Sequence, residues 1–368
     1  VSKTNWKHFD FWLLGAVALL TIFGITMIRS AITGNIELEQ ELKIVQRQII
    51  FAVAGFVVVF VAASIDYRLW SSISRPLYIG TAFFLAALAI AGQALYGSAR
   101  WFDTGFILIQ PSEIAKIVVV LVLADFFARN QDKLGSLLWV GRSFLFTLGI
   151  MAPILLQPNL STSLVILVIW FALLWAAGLR LKHLAMFLGV GLVAPFAAFP
   201  FLEDYQRDRI INFLAPDPNA SYGENYNIQQ ALITIGSGGW FGQGYNQGTQ
   251  VQLRFLKVRW SDFIFSAISQ EFGFVGAIVI VLLLVFVVYR CLRAARLASD
   301  TFGSLVAFGI AIMIAFQAIV NIGVNLRMMP ATGLTLPFVS YGGSSLLSLL
   351  LGIGFVQSVI LRHRALEF

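Results

Sequence analysis

The chain has 368 residues, of which 59% are hydrophobic and only 12% charged, with a mean hydropathy of +0.84. Those values exclude a water-soluble globular domain of this size and point to an integral membrane protein. A single cysteine, Cys291, excludes an internal disulfide and a thiolate metal cluster, and reads as a small apolar packing residue.

Crossing the hydrocarbon core takes about 20 apolar residues per helix. Runs of that kind fall at 11–29, 47–65, 73–94, 112–128, 141–156, 160–178, 183–202, 264–290, 302–323 and 343–361. They predict an all-α fold of about ten transmembrane helices in one bundle, with residues 1–368 forming a single polytopic domain. Pro153 and Pro158 interrupt the fifth and sixth runs. The first run is too long for a signal-peptide core and has no small-residue cleavage site, so it reads as a retained signal anchor.

Short cytoplasmic loops accumulate Lys and Arg. With the N-terminus inside, Lys3, Lys7, Arg68, Arg75, Arg129, Lys133, Arg142, Arg180, Lys182, Arg290, Arg293, Arg296, Arg362 and Arg364 lie on the cytoplasmic side. The short outer loops keep only Arg29, Lys43, Arg47, Arg100 and Arg327, and an even number of spans returns the C-terminus to the cytoplasm. The net charge of +7 is then a topology signal, not a nucleic-acid footprint.

Two segments break the pattern. Residues 203–263 form a long polar connection between the seventh and eighth runs, placed outside by parity, with Gly236, Gly238, Gly239, Gly242, Gly244 and Gly248 in its second half. No strand precedes these glycines and no capped helix follows at the needed spacing, so they predict close backbone packing of a loop folded over the bundle, not a phosphate-binding fingerprint. The second segment runs from Met328 to Ser345 before the last span. It is apolar enough to enter the bilayer, but its prolines and glycines free backbone groups that only protein or a wet cavity can satisfy, which predicts a re-entrant, cavity-lining stretch.

Chemistry gathers at the outer ends of the spans. Glu113 and Lys116 stand i, i+3 on one helix face and can pair; the carboxylate also complements the helix dipole, and the lysine can snorkel outward. Arg100 either anchors the interface or binds an anion. Asp262 stands where the long loop meets the eighth span, near Arg254, Lys257, Arg259 and Arg209 and beside Trp260, Phe263 and Phe265. It is either a first-turn capping residue behind Ser261 or a functional carboxylate. His8, His183 and His363 all fall at cytoplasmic ends, so a base at the outer face must be Asp262 or Glu113. No zinc-ligand spacing occurs. One carboxylate among cations at a membrane face suits a lipid-linked anionic substrate whose phosphate leaves as a hydroxyl is deprotonated.

Three separated motifs carry a family resemblance. They are Gly97 to Trp101 followed by Gln110, Pro111, Ser112, Glu113 and Lys116; Asp262 to Phe265 with Glu271, Phe272 and Gly273; and Pro337 to Ser345. In this order, over nearly the whole chain, they resemble the SEDS (shape, elongation, division and sporulation) proteins. Within that family Glu271 to Phe274 and Ala331 to Gly333 are most similar to the elongation form, the division form being the near alternative. The resemblance implies a ten-helix bundle in the bacterial cytoplasmic membrane that polymerises lipid II into glycan at the outer face, releasing polyprenyl pyrophosphate. It implies a class B penicillin-binding protein as transpeptidase partner and a divalent cation, Mg or Mn, although no residue spacing marks a metal site. It makes Asp262 the catalytic carboxylate and Glu113 and Lys116 the pair in the central cavity. With the substrate so defined, Arg100, Glu113, Lys116, Arg209, Ser340 and Tyr341 are the candidate substrate-binding residues. The chain departs from the family pattern at Lys257, where proline is usual, at Trp260, where histidine is common, at Asn159 and Ser161, and at Arg327, where glycine is frequent.

Overall fold

The computed structural model describes residues 6–33, 38–96, 102–103, 108–133, 136–157, 159–216 and 223–363. The first half builds α1 (Phe11–Ile32), α2 (Leu38–Ser64), the short α3 (Tyr67–Ser72), α4 (Ser74–Tyr96), α5 (Pro111–Arg129), α6 (Leu137–Leu156), α7 (Leu160–Ala176) and α8 (Leu181–Ala198). The polar connection contains α9 (Asp204–Leu214), α10 (Gly223–Ser237) and α11 (Thr249–Gln252). The chain closes with α12 (Ile264–Leu297), α13 (Thr301–Asn325) and α14 (Gly343–Leu361). The fold is helical as expected, apart from a two-residue antiparallel pair of β1 (Phe102–Asp103) and β2 (Leu108–Ile109).

All ten apolar runs lie on helices. Among the described residues six helices are long and apolar enough for a full crossing, on α1, α2, α6, α12, α13 and α14, and shorter apolar stretches occur at Ser74–Ile90 and Leu160–Ala176. Side chains sort by contact, not by polarity. Ile50, Val53, Val57 and Val61 of α2 point outward and are exposed, as hydrocarbon requires, while α13 is buried against α5, α7, α12 and α14. α14 lies along α2. Cys291 packs fully buried in α12, as its apolar reading implies.

Two expectations need correction. Pro153 does not interrupt a span: α6 runs through it to Leu156, and the Gln157 amide returns to the Pro153 carbonyl at 3.2 Å. Proline so near a helix end removes one bond from the last turns, which the chain tolerates. Pro158 lies outside the described residues. The second correction concerns 203–263, which is not loop throughout but carries the helices α9, α10 and α11. α9 opens with a capping box between Glu203 and Gln206, and α10 buries Ile228, Ala231 and Thr234 against α12 and α13.

The glycines of that segment do pack backbone to backbone, at an interruption in α12. Gly273 has φ 68° and ψ −167°, splitting the helix. The carbonyls of Gln270 and Glu271, freed by the break, accept from Gln243 and Gly244 amides at 2.9 and 3.0 Å, while Phe274 and Val275 amides donate to Gly239 and Trp240 at 2.9 and 3.1 Å. A Cβ on Gly242 would collide with the Glu271 carbonyl, and one on Gly273 with Gly242 and Trp240 backbone. The glycine segment is therefore a clasp that satisfies a broken membrane helix with protein groups.

Candidate active site

Asp262 is not a cap. α12 begins at Ile264 with Phe263 in the cap position and no side-chain capping bond, so the capping explanation fails. Its carboxylate faces a cavity of about 630 Å³ instead. The backbone behind it is clamped: Asn321 and Asn325 of α13 both donate side-chain N–H to the Asp262 carbonyl, at 3.0 and 2.9 Å. Asn325 is itself oriented by Ser266, whose amide and hydroxyl donate to its Oδ1 at 3.1 and 2.6 Å. Burial pushes the Asp262 carboxyl above the usual carboxylate range, against a smaller opposing pull from the Ser261 hydroxyl and the Arg209 charge.

The Met328–Ser345 stretch lines the cavity as expected. Thr332, Gly333, Leu334, Thr335, Tyr341, Gly342, Gly343, Ser344 and Ser345 all face it. Its irregular backbone is held by polar links: Asn321 Nδ2 to the Leu334 carbonyl at 2.7 Å, the Tyr341 amide to the Trp260 carbonyl at 2.9 Å, and the Ser161 hydroxyl to the Thr332 carbonyl. Arg327 and Phe338 carry positive φ of 56° and 65°, sparsely populated for side-chain-bearing residues and found where surrounding structure over-determines them. The left-handed backbone at Arg327 is also the physical reason glycine suits that position.

The opposite wall is α5 and its neighbours. Glu113 and Lys116 form a buried pair, Nζ to Oε2 at 2.8 Å, with the lysine side chain 1% exposed. Two charges withdrawn this far are costly unless paired, so the lysine does not snorkel. Arg209 reaches the cavity from α9, tethered by Glu224 of α10 at 2.9 Å.

The sequence-predicted set divides. Asp262, Glu113, Lys116, Arg209 and Tyr341 are brought to one cavity. Ser340 is turned away: its hydroxyl accepts from the Leu336 amide at 2.8 Å and donates to the Ser261 carbonyl at 2.6 Å, so it fixes the loop beside Asp262 instead of facing a ligand. Arg100, with the Gly97 to Trp101 motif, lies outside the described residues. Of the cations expected around Asp262, Arg254 and Lys257 are exposed and do not line the cavity. Arg259 is buried, donating to the Ala31 carbonyl and stacking on Trp260. Sequence reasoning missed Arg47 and Gln110, which line the cavity, and Gln48, whose amide brackets the loop through the Ser340 carbonyl and the Gly342 N–H, both at 3.3 Å. A polar residue opening an apolar run was the available signal, but Arg47 read as a topology charge.

None of the three histidines lines this cavity, and among the described residues no group of three His, Cys, Asp or Glu is placed to hold a metal ion. The arrangement combines the desolvated Asp262 carboxylate with Arg47, the Glu224-tethered Arg209 and the buried Glu113–Lys116 pair in a polar hollow at one end of a membrane bundle. It can take a proton and neutralise an anion in the same space.

Fold and site thus define a polytopic helical membrane protein with a charged cavity at one end. The chain belongs to the family described as cell cycle proteins, comprising FtsW, RodA and SpoVE, whose model matches residues 11–365. It is 36% identical over 373 residues to "Peptidoglycan glycosyltransferase MrdB" of Escherichia coli strain K12, covering 100% of this chain and 98% of that one. It is 34% identical over 367 residues to "Probable peptidoglycan glycosyltransferase FtsW" of Geobacter sp. strain M18, covering 97% and 98%. A chain in the solved structure "Structural coordination of polymerization and crosslinking by a peptidoglycan synthase complex" superposes with a TM-score of 0.80 at 30% identity, covering 96% of this chain and 97% of that one.

Proposed function

We propose that this protein is a peptidoglycan glycosyltransferase that polymerises lipid II into glycan at the outer face of the bacterial cytoplasmic membrane. Ten crossings, both termini inside and one polytopic domain belong to this reading. The observation that carries it is Asp262, a carboxylate raised by burial and set in a cavity with three cations. In the reaction the acceptor sugar's 4-hydroxyl attacks the donor's C1, a C–O bond forms there, and the bond from C1 to pyrophosphate breaks. The hydroxyl proton passes to Asp262, and polyprenyl pyrophosphate leaves against Arg47, Lys116 and Arg209. A carboxylate raised above the ordinary range is a stronger base than an ordinary one.

A divalent cation fits only in part, because Glu113 is committed to Lys116 and leaves one carboxylate. Asp262 would be the residue to hold Mg²⁺ or Mn²⁺, in place of acting as the base, and the ion would supply charge neutralisation at the leaving group. The elongation role, as in RodA, rests on Glu271 to Phe274 and Ala331 to Gly333. A class B penicillin-binding protein is the partner of choice, because the superposing chain comes from a complex that couples polymerisation to crosslinking.

The test is purified protein, with and without that partner, incubated with lipid II and assayed for glycan. Asp262→Asn should fold and lose glycan synthesis by at least about 100-fold. Glycan made by the pure variant at a rate near the wild type's, or lipid II translocated by the wild type without polymerisation, would overturn the assignment, the second outcome in favour of a flippase.

A further inference from the structure

A second concavity, of about 510 Å³, opens beside α4, α5 and α6 at the end of α5 opposite the cavity. The 19 residues of α5 span about 28 Å, close to the roughly 30 Å of hydrocarbon in a bilayer. The two hollows therefore sit at opposite membrane boundaries. Aromatic rings form the walls, with Phe146 5.6 Å from Tyr78 and 5.4 Å from Phe126, and Trp139 6.0 Å from Phe126 between centroids.

Three arginines stand around this apolar hollow: Arg75, Arg129 and Arg142. The one carboxylate lining it, Asp125, is buried and spent inward, accepting from the Ser71 and Ser74 hydroxyls and from Arg129 at 2.8 Å. Arg142 lies over the Trp139 ring at 4.6 Å, which leaves its in-plane N–H groups free for an anion. Arg75 is exposed and has no carboxylate partner among the described residues. α4 and α6 both begin here, at Ser74 and Leu137, so two positive dipole ends face the hollow against the one negative end of α5 at Arg129.

We propose that this concavity is a binding site for an anionic phospholipid. Arg75 and Arg142 take the phosphodiester, and an acyl chain lies along the Phe126, Phe146 and Tyr78 walls. The other hollow at this end, lined by His8, Arg290 and His363, is a poorer match. There Arg290 is neutralised by Asp10 at 2.5 Å, which leaves Arg293 as the arginine outside that pair, and the C-terminal ends of α12 and α14 outnumber the N-terminal end of α1.

The test is thermal unfolding of the detergent-purified full chain titrated with phosphatidylglycerol, with phosphatidylcholine of the same acyl chains, and with glycerol 3-phosphate. Phosphatidylglycerol alone should raise Tm, and its binding should weaken about fivefold for each arginine removed in Arg75→Gln and Arg142→Gln. Equal stabilisation by both lipids, an unchanged response in the double variant, or an equal response to glycerol 3-phosphate would overturn the proposal. A second readout leaves all three arginines in place: brominated phosphatidylglycerol should quench emission of the wild type more than that of Trp139→Phe, and equal quenching would overturn it too.

Discussion

Two stretches of this protein abandon helical backbone inside or beside the bundle, and they meet opposite fates. At Gly273 the interruption is closed by another piece of backbone, the glycine clasp, which reaches the freed carbonyls and amides at 2.9 to 3.1 Å. At Met328 to Ser345 the interruption is held open by Asn321, Ser161 and Gln48, and its inner surface borders a cavity of about 630 Å³. Irregular backbone at membrane depth survives only when buried in protein or beside water, and one chain uses both solutions. The difference lies in side chains. The closed break is made of glycines where a Cβ would strike backbone, and the open one is propped by amides and hydroxyls that keep the walls apart.

The comparison is broken most severely at the clasp. Gly273→Val would place a β-branched side chain at φ 68° against Gly242 and Trp240 backbone, a loss of at least about 3 kcal/mol; folded yield and Tm in detergent should collapse. Next is the pair on the open side. Removing one partner in Glu113→Gln leaves a buried lysine charge, costing about 3 to 5 kcal/mol, whereas Glu113→Gln with Lys116→Met should recover part of that Tm. Swapping the two residues should likewise preserve more activity than either single removal.

Asp262→Asn separates function from stability. Glycan synthesis should fall by about 10²- to 10⁴-fold, yet Tm at neutral pH should hold or rise. The sign follows from burial: Asp262 titrates above its unfolded value, so folded stability is greatest with the carboxyl protonated and declines as pH climbs through the raised value, a penalty the amide lacks. For the same reason the acidic limb of the wild-type pH profile should sit above an ordinary carboxylate's range. A smaller effect is expected of Asn325→Ala, which removes one of the two amides on the Asp262 carbonyl. Turnover should drop more than KM changes, by about tenfold, for about 1.4 kcal/mol of lost positioning.

The smallest effect belongs to Asp300, outside both regions. Burial alone would raise its carboxyl, but the Gly303 amide, Arg68 and the Tyr67 hydroxyl outweigh this and hold it below the usual range. Its contribution is present above the unfolded carboxylate value and disappears as pH falls through the depressed one, opposite to Asp262. Asp300→Ala should cost about 1 kcal/mol as a lost helix cap, read as a lower Tm at pH 7 and a smaller difference in acid.

Most of the helical plan was legible because hydrocarbon imposes long apolar runs that leave little room for another reading. The polar connection was less so: α10 buries only Ile228, Ala231 and Thr234, a spacing of three that its surrounding Asn and Gln residues obscure. At the site, Asp262, Glu113 and Lys116 were readable because charge in an apolar context is expensive. Asn321, Asn325 and Gln48 were not, since an amide inside an apolar helix costs far less and its task depends on which backbone carbonyl happens to face it. Arg47 was passed over as a site residue because positive charge at a span end satisfies the topology rule whether or not it meets a ligand. Ser340 was credited to the substrate, yet its partner proved to be the backbone next door.

Cys291 is the chain's one thiol and is sealed inside α12. Maleimide reagents added from either side of a membrane should therefore meet an unreactive background. A cysteine introduced at Arg75 or at Arg47 would then report its own accessibility, so the two ends of the bundle can be assigned to their sides of the membrane without first removing a native residue.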